Sequence, residues 1–468
     1  MLAAELKLAG VDAVIAERRA NHDVEGSRAR GIHARTIEIL DQRGIAERFI
    51  SEGQRHPSVG FAGIRLDISD FPTRHNYLLG LLQSTFEPIL ARWVEELGVQ
   101  IMYEREVVDF TQDDNGVDVK LSDGQKLRVN YLVGCDGGRS SIRKQAGIDF
   151  PGLAATKSYI IAEGVKMDGE PAFGVRPEGG GIGKEANGET VGVVVVEQTT
   201  ERTHDPSLDE LRVALMAVYG TDYGLRSAAW ISHFSDAARQ AAAYRKGRVL
   251  LAGDAAHIHP PQGGQGLGVG VQDAVNLGWK LAQVINKTSP ESLLDTYHDE
   301  RHPVGARVLQ NTKAQVALSN SGGQHEALRE IMTELLGMDE PRKRIAGMLS
   351  GLDVHYDLGK GHPLLGRRMP DLELQTTDGP TRAFTLLHEA RPVLLSLSKP
   401  TDFDTSPWAH VRLANATYDS KWELPVIGEV AAPSAVLIRP DGYVAWTGDL
   451  TDPELPRVLT TWFGTISK

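Results

Sequence analysis

Apolar residues recur along this chain in two rhythms, one helical and one of short buried strands. Leu2, Leu6 and Leu8, with alanines between them, suit a packed helix that Gly10 ends. Asp12 to Glu17 is a short apolar run that reads as a buried strand. Residues 36–49 and 84–97 carry helical spacing, and Gly98 supplies a C-terminal stop for the second. Val107–Phe110, Val117–Leu121 and Val129–Gly134 read as strands, with Asp123-Gly124 as a hairpin-type turn. Buried strands mixed with helices predict an α/β domain.

The texture changes over residues 155–235. Tyr159–Val165, Ala172–Val175 and Thr190–Glu197 are strand-like, the glycine-rich stretch Glu178–Gly183 separates two of them, and 207–219 reads as a helix. An apolar strand then returns at Arg248–Ala252, followed by a glycine loop and a long helix through Asn286. The α/β domain therefore resumes, and the sheet region is an insertion within it. Residues 295–350 are mostly helical with an interruption near 319–323. A further α/β module begins near His362-Pro363, with strands at Val393–Leu397 and Ala435–Ile438 and a turn at Pro440-Asp441-Gly442. The predicted division is 1–60, 76–154 and 242–350 for the first domain, 61–75 and 155–241 for the sheet domain, and 361–468 for the C-terminal module.

Composition narrows the possibilities. Of 468 residues 41% are hydrophobic and 24% charged, which suits a large globular core. The net charge of −12 disfavours nucleic-acid binding, which needs a basic patch. No apolar run reaches the roughly 18 residues of a membrane helix, and the first residues lack the layout of a secretory signal. One cysteine, Cys135, fits a reducing cytoplasm and reads as a small core residue. His257 and His259 lie two apart without a third ligand nearby, a poor zinc site. No metal is expected.

The strongest chemical signal runs from Arg248 to Leu281. A strand delivers Asp254 at its C-terminal end, a loop with five glycines between 263 and 270 follows, and a helix begins. Such loops let backbone approach a ligand closely. The helix start presents free N–H groups and a positive dipole end. The arrangement suits a ligand with a hydroxylated chain near Asp254 and negative charge near the helix. A second strand end, Tyr131-Leu-Val-Gly-Cys-Asp136-Gly137-Gly-Arg139-Ser140-Ser-Ile-Arg143, offers an acceptor, a turn glycine and cations suited to phosphate.

These two motifs, in this order, make the chain resemble the group A FAD-dependent aromatic hydroxylases, which share the para-hydroxybenzoate hydroxylase fold. The resemblance extends to the three-domain subgroup acting on phenols, aromatic polyketides and rifamycin-type antibiotics. It implies a Rossmann-like FAD-binding domain, an inserted antiparallel substrate-binding sheet domain and a thioredoxin-like C-terminal domain, here without cysteines. It implies FAD as cofactor and NADPH (or NADH) as transient co-substrate. The partners it implies are O₂ and an aromatic small molecule, in a monomer or homodimer. Hydroxylation would pass through a flavin C4a-hydroperoxide, and no side chain is assigned as catalytic acid or base. By this resemblance Asp254 and Gln83 contact the ribityl chain, and Glu17 the adenosine ribose. Arg28 and Asp136 serve the pyrophosphate region, and Val107 meets the adenine through its backbone. Pro261, Gly264, Gly266, Leu267 and Gly268 meet the flavin ring. Arg28 and Arg143 are the phosphate partners expected for NADPH. Trp230–Ala241 and His302–Asn311 carry the likeness to enzymes of large polycyclic phenols.

Two departures matter. The family opens on a strand and a Gly-x-Gly-x-x-Gly loop, whereas Met1 already lies in the helix that follows them. The reading predicts a gene product that starts earlier, and neighbouring strand edges left unpaired in the chain as it stands. An alternative is a flavin-poor or inactive homologue acting as a binding or scaffold protein. A nicotinamide dehydrogenase with its own stable NAD(P) site would need a second Rossmann unit. The other departure is Gly268, where relatives usually carry asparagine.

Overall fold

The computed structural model describes all residues except 172, 174–178, 186, 187, 198–203, 320, 321, 399–402 and 466–468. The described helices are α1 Leu2–Leu8, α2 Ala34–Asp41, α3 Glu47–Ile50, α4 Gln83–Glu96, α5 Ser141–Gln145, α6 Leu208–Tyr219, α7 Gly266–Ile285, α8 Asp295–Ser319, α9 Gly323–Leu336, α10 Asp339–Ser350 and α11 Leu455–Phe463.

The first domain is built on short parallel pairs. Strand 14–16 pairs with 100–102, and strand 132–134 pairs with 249–251. Among the described residues no strand joins 14–16 to 132–134, so each is an edge, and Val14 is exposed. A meander of 107–113, 116–121 and 126–129 lies beside them. The centre of the domain is α7, buried on nearly every side, whose Val275, Leu277, Trp279 and Leu281 pack into two apolar clusters. A helix buried all round reads as a core helix rather than an amphipathic surface one.

The inserted sheet runs 180–184, 191–197, 158–167, 225–227, with 230–235 also pairing to 158–167. One face buries Ile160, Ala162, Val193 and Val195 against Leu211 and Leu215 of α6. Ser207 caps α6 in a reciprocal box with Glu210, the pattern of a well-defined helix start. The C-terminal module has a six-stranded sheet in the order 379–382, 373–376, 412–417, 393–396, 435–438, 444–448.

Several local expectations change. The helix expected over 36–49 is two helices, α2 and α3, because Gly44 turns the chain at φ +70°. The run Val129–Gly134 is split: Val129 ends a hairpin strand and the parallel strand starts at Leu132. The glycine-rich stretch read as a separator supplies the edge strand Gly180–Lys184, since small residues can pair there at an uncrowded edge. Of Ala172–Val175 only Phe173 is described, in a turn. Among the described residues the segment 61–75 makes no strand pair with the inserted sheet. Ser58–Phe61 and Ile64–Asp67 pair only with each other, and Phe61, Leu66 and Phe71 pack with Leu336 of α9 and Leu349 of α10.

The C-terminal module shares the core of the first domain. Leu394, Leu437, Trp446 and Phe463 pack in the same cluster as Leu277 and Trp279 of α7. A buried ionic group fastens this contact: Glu300 of α8 accepts from Arg439 at 2.6 and 2.8 Å and from Lys280 at 2.8 Å, and Asn276 bridges Glu300 and Asp441. Arg43, fully enclosed, donates to Glu5, Leu387 O and Pro440 O.

Candidate active site

The parallel pairing of Gly134 with Leu251 sets the two sequence motifs side by side at the carboxyl ends of their strands. Ala252 N–H extends the ladder to Gly134 O at 3.0 Å. Asp136-Gly137 and Gly253-Asp254 therefore open onto one cleft, where ligands of α/β sheets bind. Asp254 sits in a single 3-10 turn, Gly253–Ala255, that only a φ near +62° at Gly253 allows. Its carboxylate is exposed and makes no hydrogen bond to another described residue. A free acceptor at that place is what a polyol chain requires.

The glycine loop ends in α7, whose first turn carries Gly266, Leu267 and Gly268. Their N–H groups point out of the helix start without intrahelical partners. Pro261 and Gly264 are exposed on the approach to it. Gly268 is buried against Thr36 of α2: a Cβ there would lie 2.7 Å from Thr36 Oγ1. Gly268, where the resemblance leads one to expect asparagine, thus faces a hydroxyl from the facing helix. His33, the residue before α2, bonds Gly263 O at 2.8 Å through Nε2 and ties α2 to the loop. Burial holds His33 below the usual imidazole range, so it is neutral at pH 7.

The other sequence-assigned residues differ in how far their polar groups are already engaged. Glu17 follows strand 14–16, where its carboxylate holds Arg19 N–H at 2.9 Å. Gln83 opens α4, donates to Glu87 at 2.6 Å and lies 3.4 Å from Ala29 N. Val107 opens its strand opposite Leu121. Asp136 is engaged at both oxygens by Ser140, Ser141 and Ile142 N–H, so it caps α5 and shapes the Gly137-Gly138 turn. Arg28 donates to Ser232 of the inserted sheet at 2.8 Å. Nearby, Arg139 meets His233 at 3.1 Å. Burial, then Arg139 and Arg28 among its neighbours, keep His233 below its ordinary range.

One assignment fails on geometry. Arg143, expected to meet NADPH phosphate, is 4% exposed. It donates to Ala255 O at 2.8 Å and Gly138 O at 3.0 Å, with Phe150 stacked at 3.7 Å. It braces the two strand ends from a buried position. Cys135 reaches solvent at a strand end, but the enclosing protein pushes its thiol up to about 11, which leaves it protonated and unreactive at neutral pH.

Reading by sequence missed the buried polar groups behind the loop. Asp273 of α7 accepts from His257 Nε2 at 2.7 Å, Arg301 Nε at 2.7 Å and Gly253 N–H at 3.2 Å. The signal available was an aspartate within an otherwise apolar helix. Gln265, Asn311 and Gln315 also crowd beneath the loop.

Comparison with known proteins decides the family. Residues 1–312 match the FAD binding domain family, and residues 362–465 match the aromatic-ring hydroxylase C-terminal domain. This chain belongs to the FAD-binding aromatic-ring hydroxylases. It is a flavin-dependent aromatic monooxygenase. It is 40% identical to a rifampicin monooxygenase of Streptomyces venezuelae, over 99% of this chain and 96% of the relative. It is 41% identical to the 12-dehydrotetracycline 5-monooxygenase/anhydrotetracycline 6-monooxygenase of Streptomyces rimosus, with the same coverage. The solved anhydrotetracycline hydroxylase from Streptomyces rimosus superposes with a TM-score of 0.91 at 40% identity, over 99% of this chain and 96% of that one. A dialkyldecalin synthase of Streptomyces rugosporus is 36% identical over 99% of this chain and 96% of its own length. The fold is therefore a mixed α/β FAD-binding domain with an aromatic hydroxylase C-terminal domain, and FAD is the cofactor. Among the described residues no helix is long and apolar enough to cross a membrane.

Proposed function

We propose that this hydroxylase uses NADPH (or NADH) and O₂ to oxygenate a large phenolic or polycyclic aromatic of polyketide or antibiotic type. One oxygen atom enters the ring, the other leaves as water, and the nicotinamide supplies the electron pair. The observation that carries the reading is full-length similarity to the rifampicin and anhydrotetracycline monooxygenases, joined to a site with a free acceptor at Asp254.

The residues fit the cofactor chemically. Asp254 and Gln83 would hold ribityl hydroxyls, Glu17 the adenosine ribose, and Val107 the adenine. Arg28, with the Asp136-Gly137 turn, would hold the pyrophosphate. Bound FAD would relay electrons from the nicotinamide to O₂. The first turn of α7, from Gly266 to Gly268, would stabilise negative charge at the ring through free N–H groups and the helix dipole. Thr36 Oγ1 stands beside that turn as an additional polar group. Arg139, beside Arg28 at the seam between the first domain and the inserted sheet, replaces Arg143 as a cation for the nicotinamide phosphates. The exposed loop Pro261–Gly264 and the inserted sheet would exclude water from the reacting ring. The C-terminal sheet, with 393–396 parallel to 412–417 and antiparallel to 435–438, supports a thioredoxin-like reading of that module. Without a cysteine it serves packing.

A flavin-poor reading has one observation in its favour, the separate edges at 14–16 and 132–134. One experiment separates the two. The purified protein is scanned for bound flavin, then reduced by NADPH in a stopped-flow instrument across a panel of phenols, naphthacenes and ansamycins. Acceleration by an aromatic, with a product heavier by one oxygen, is the expected result. A flavin-free protein that takes up no added FAD, or flavin reduction that no aromatic accelerates and no product accompanies, overturns the proposal.

A further inference from the structure

We propose that Asp273 is a positioning residue for the cofactor: its buried carboxylate clamps the turn that bears Asp254 onto the helix that bears the flavin-facing loop. This rests on the reading of Asp254 as a cofactor ligand. Gly253 and His257 bracket Asp254, and both donate to Asp273 Oδ2, at 3.2 and 2.7 Å. Asp273 Oδ1 accepts from Arg301 Nε at 2.7 Å. Arg301 in turn donates to Val269 O, one residue beyond Gly268, at 3.3 Å, and to the Tyr356 hydroxyl at 3.1 Å. Asp273 and Arg301 are both 0% exposed.

Two features separate this from ordinary packing. The Asp254 side chain makes no hydrogen bond of its own to another described residue, so its aim follows the backbone of a three-residue turn. One carboxylate oxygen holds the Gly253 N–H on one side of Asp254 and the His257 side chain on the other. The same carboxylate, through Arg301, reaches the first turn of α7. The two regions that would grip the hydroxylated chain and the ring of one ligand thus share a single buried anchor. Losing the Asp273 carboxylate alone would leave the Arg301 guanidinium buried without its partner, so the pair holds its geometry firmly at this point.

The test measures FAD affinity by fluorescence titration of the full-length apoprotein, beside the melting temperature and the visible circular dichroism of bound flavin. The variants are Asp273→Asn, His257→Leu, His257→Gln, Glu300→Gln and Asp254→Ala. Glu300 lies in a buried ionic group of similar enclosure that makes no contact with the loop. Asp273→Asn and His257→Leu are expected to weaken FAD binding about tenfold or more, a charged hydrogen bond lost in each case, and to alter the dichroism. His257→Gln, whose amide still donates to Asp273, is expected to restore affinity to within about threefold. Glu300→Gln is expected to lower the melting temperature without changing affinity by more than about threefold. Affinity that merely tracks melting temperature across all variants, or a His257→Gln as impaired as His257→Leu, overturns the inference. If Asp273→Asn does not fold, the His257 pair decides alone. Unchanged affinity in Asp254→Ala defeats the site reading itself. Loss in Asp254→Ala with retention in Asp273→Asn and His257→Leu defeats only the clamp.

Discussion

Replacing Glu300 by glutamine should detach the C-terminal module energetically from α7. The Glu300 carboxylate is 7% exposed and receives two bonds from Arg439 and one each from Lys280 and Asn276. Breaking one partner of a buried ion pair costs ~3–5 kcal/mol, and a glutamine that keeps one acceptor oxygen belongs at the low end, about 3 kcal/mol. Proton linkage gives the same size. Burial alone would raise the carboxyl, but Arg439 and Lys280 outweigh it and hold Glu300 at about 2 instead of 4.5. A depressed carboxyl contributes stability above the unfolded value, here about 3 kcal/mol, and loses it as pH falls from 4.5 toward 2. Lys280 has the opposite balance: burial lowers it to about 8 despite Glu300, so its ammonium is the costly member of the group. Its contribution improves as pH rises from about 8 toward 10.5, because the unfolded chain then binds the extra proton. Scanning calorimetry at neutral pH should therefore show Glu300→Gln melting roughly 3 °C below the parent. Lys280→Met should lie within about 1 kcal/mol of it. The Glu300→Gln deficit should shrink as pH is lowered from about 5 to 3. A Glu300→Gln protein that melts within about 1 °C of the parent, or a deficit independent of pH, would refute the reasoning.

Gly268→Asn should lower the flavin-to-protein absorbance ratio, because its Cβ would sit 2.7 Å from Thr36 Oγ1; adding Thr36→Ala should recover part of the loss. Asp254→Ala should cost more FAD on gel filtration than Glu17→Ala, since Asp254 is the free acceptor in the cleft while Glu17 is half-buried and already holds Arg19. Arg143→Met should lower the melting temperature by several degrees, because two carbonyls lose their donor, and leave the KM for NADPH unchanged. Arg139→Met should raise that KM with little change in melting temperature, a comparison steady-state kinetics and calorimetry make directly.

The sequence alone determined much of this protein because its chemistry lies in contiguous motifs. Asp254 and the glycines to 270 form one strand–loop–helix unit, and local backbone rules are enough to read it. The likeness of two distant strands was legible for a similar reason: the apolar strand at 249–251 repeats the character of 132–134, and the two pair in parallel. What only the tertiary structure decided concerns residues whose roles depend on distant neighbours. Arg143 reads as a phosphate ligand in its motif, yet Ala255 and Phe150 enclose it. Gly268 reads as a loss until Thr36, from a helix 232 positions earlier in the chain, is found against it. Asp273 reads as one polar residue in an apolar helix, and becomes an anchor only when His257, Arg301 and Gly253 converge on it. Local patterns fix backbone conformation, which is short-ranged. Burial and charge pairing are set by contacts between separate segments, so a carboxylate or guanidinium has no fixed role until the fold supplies its partners.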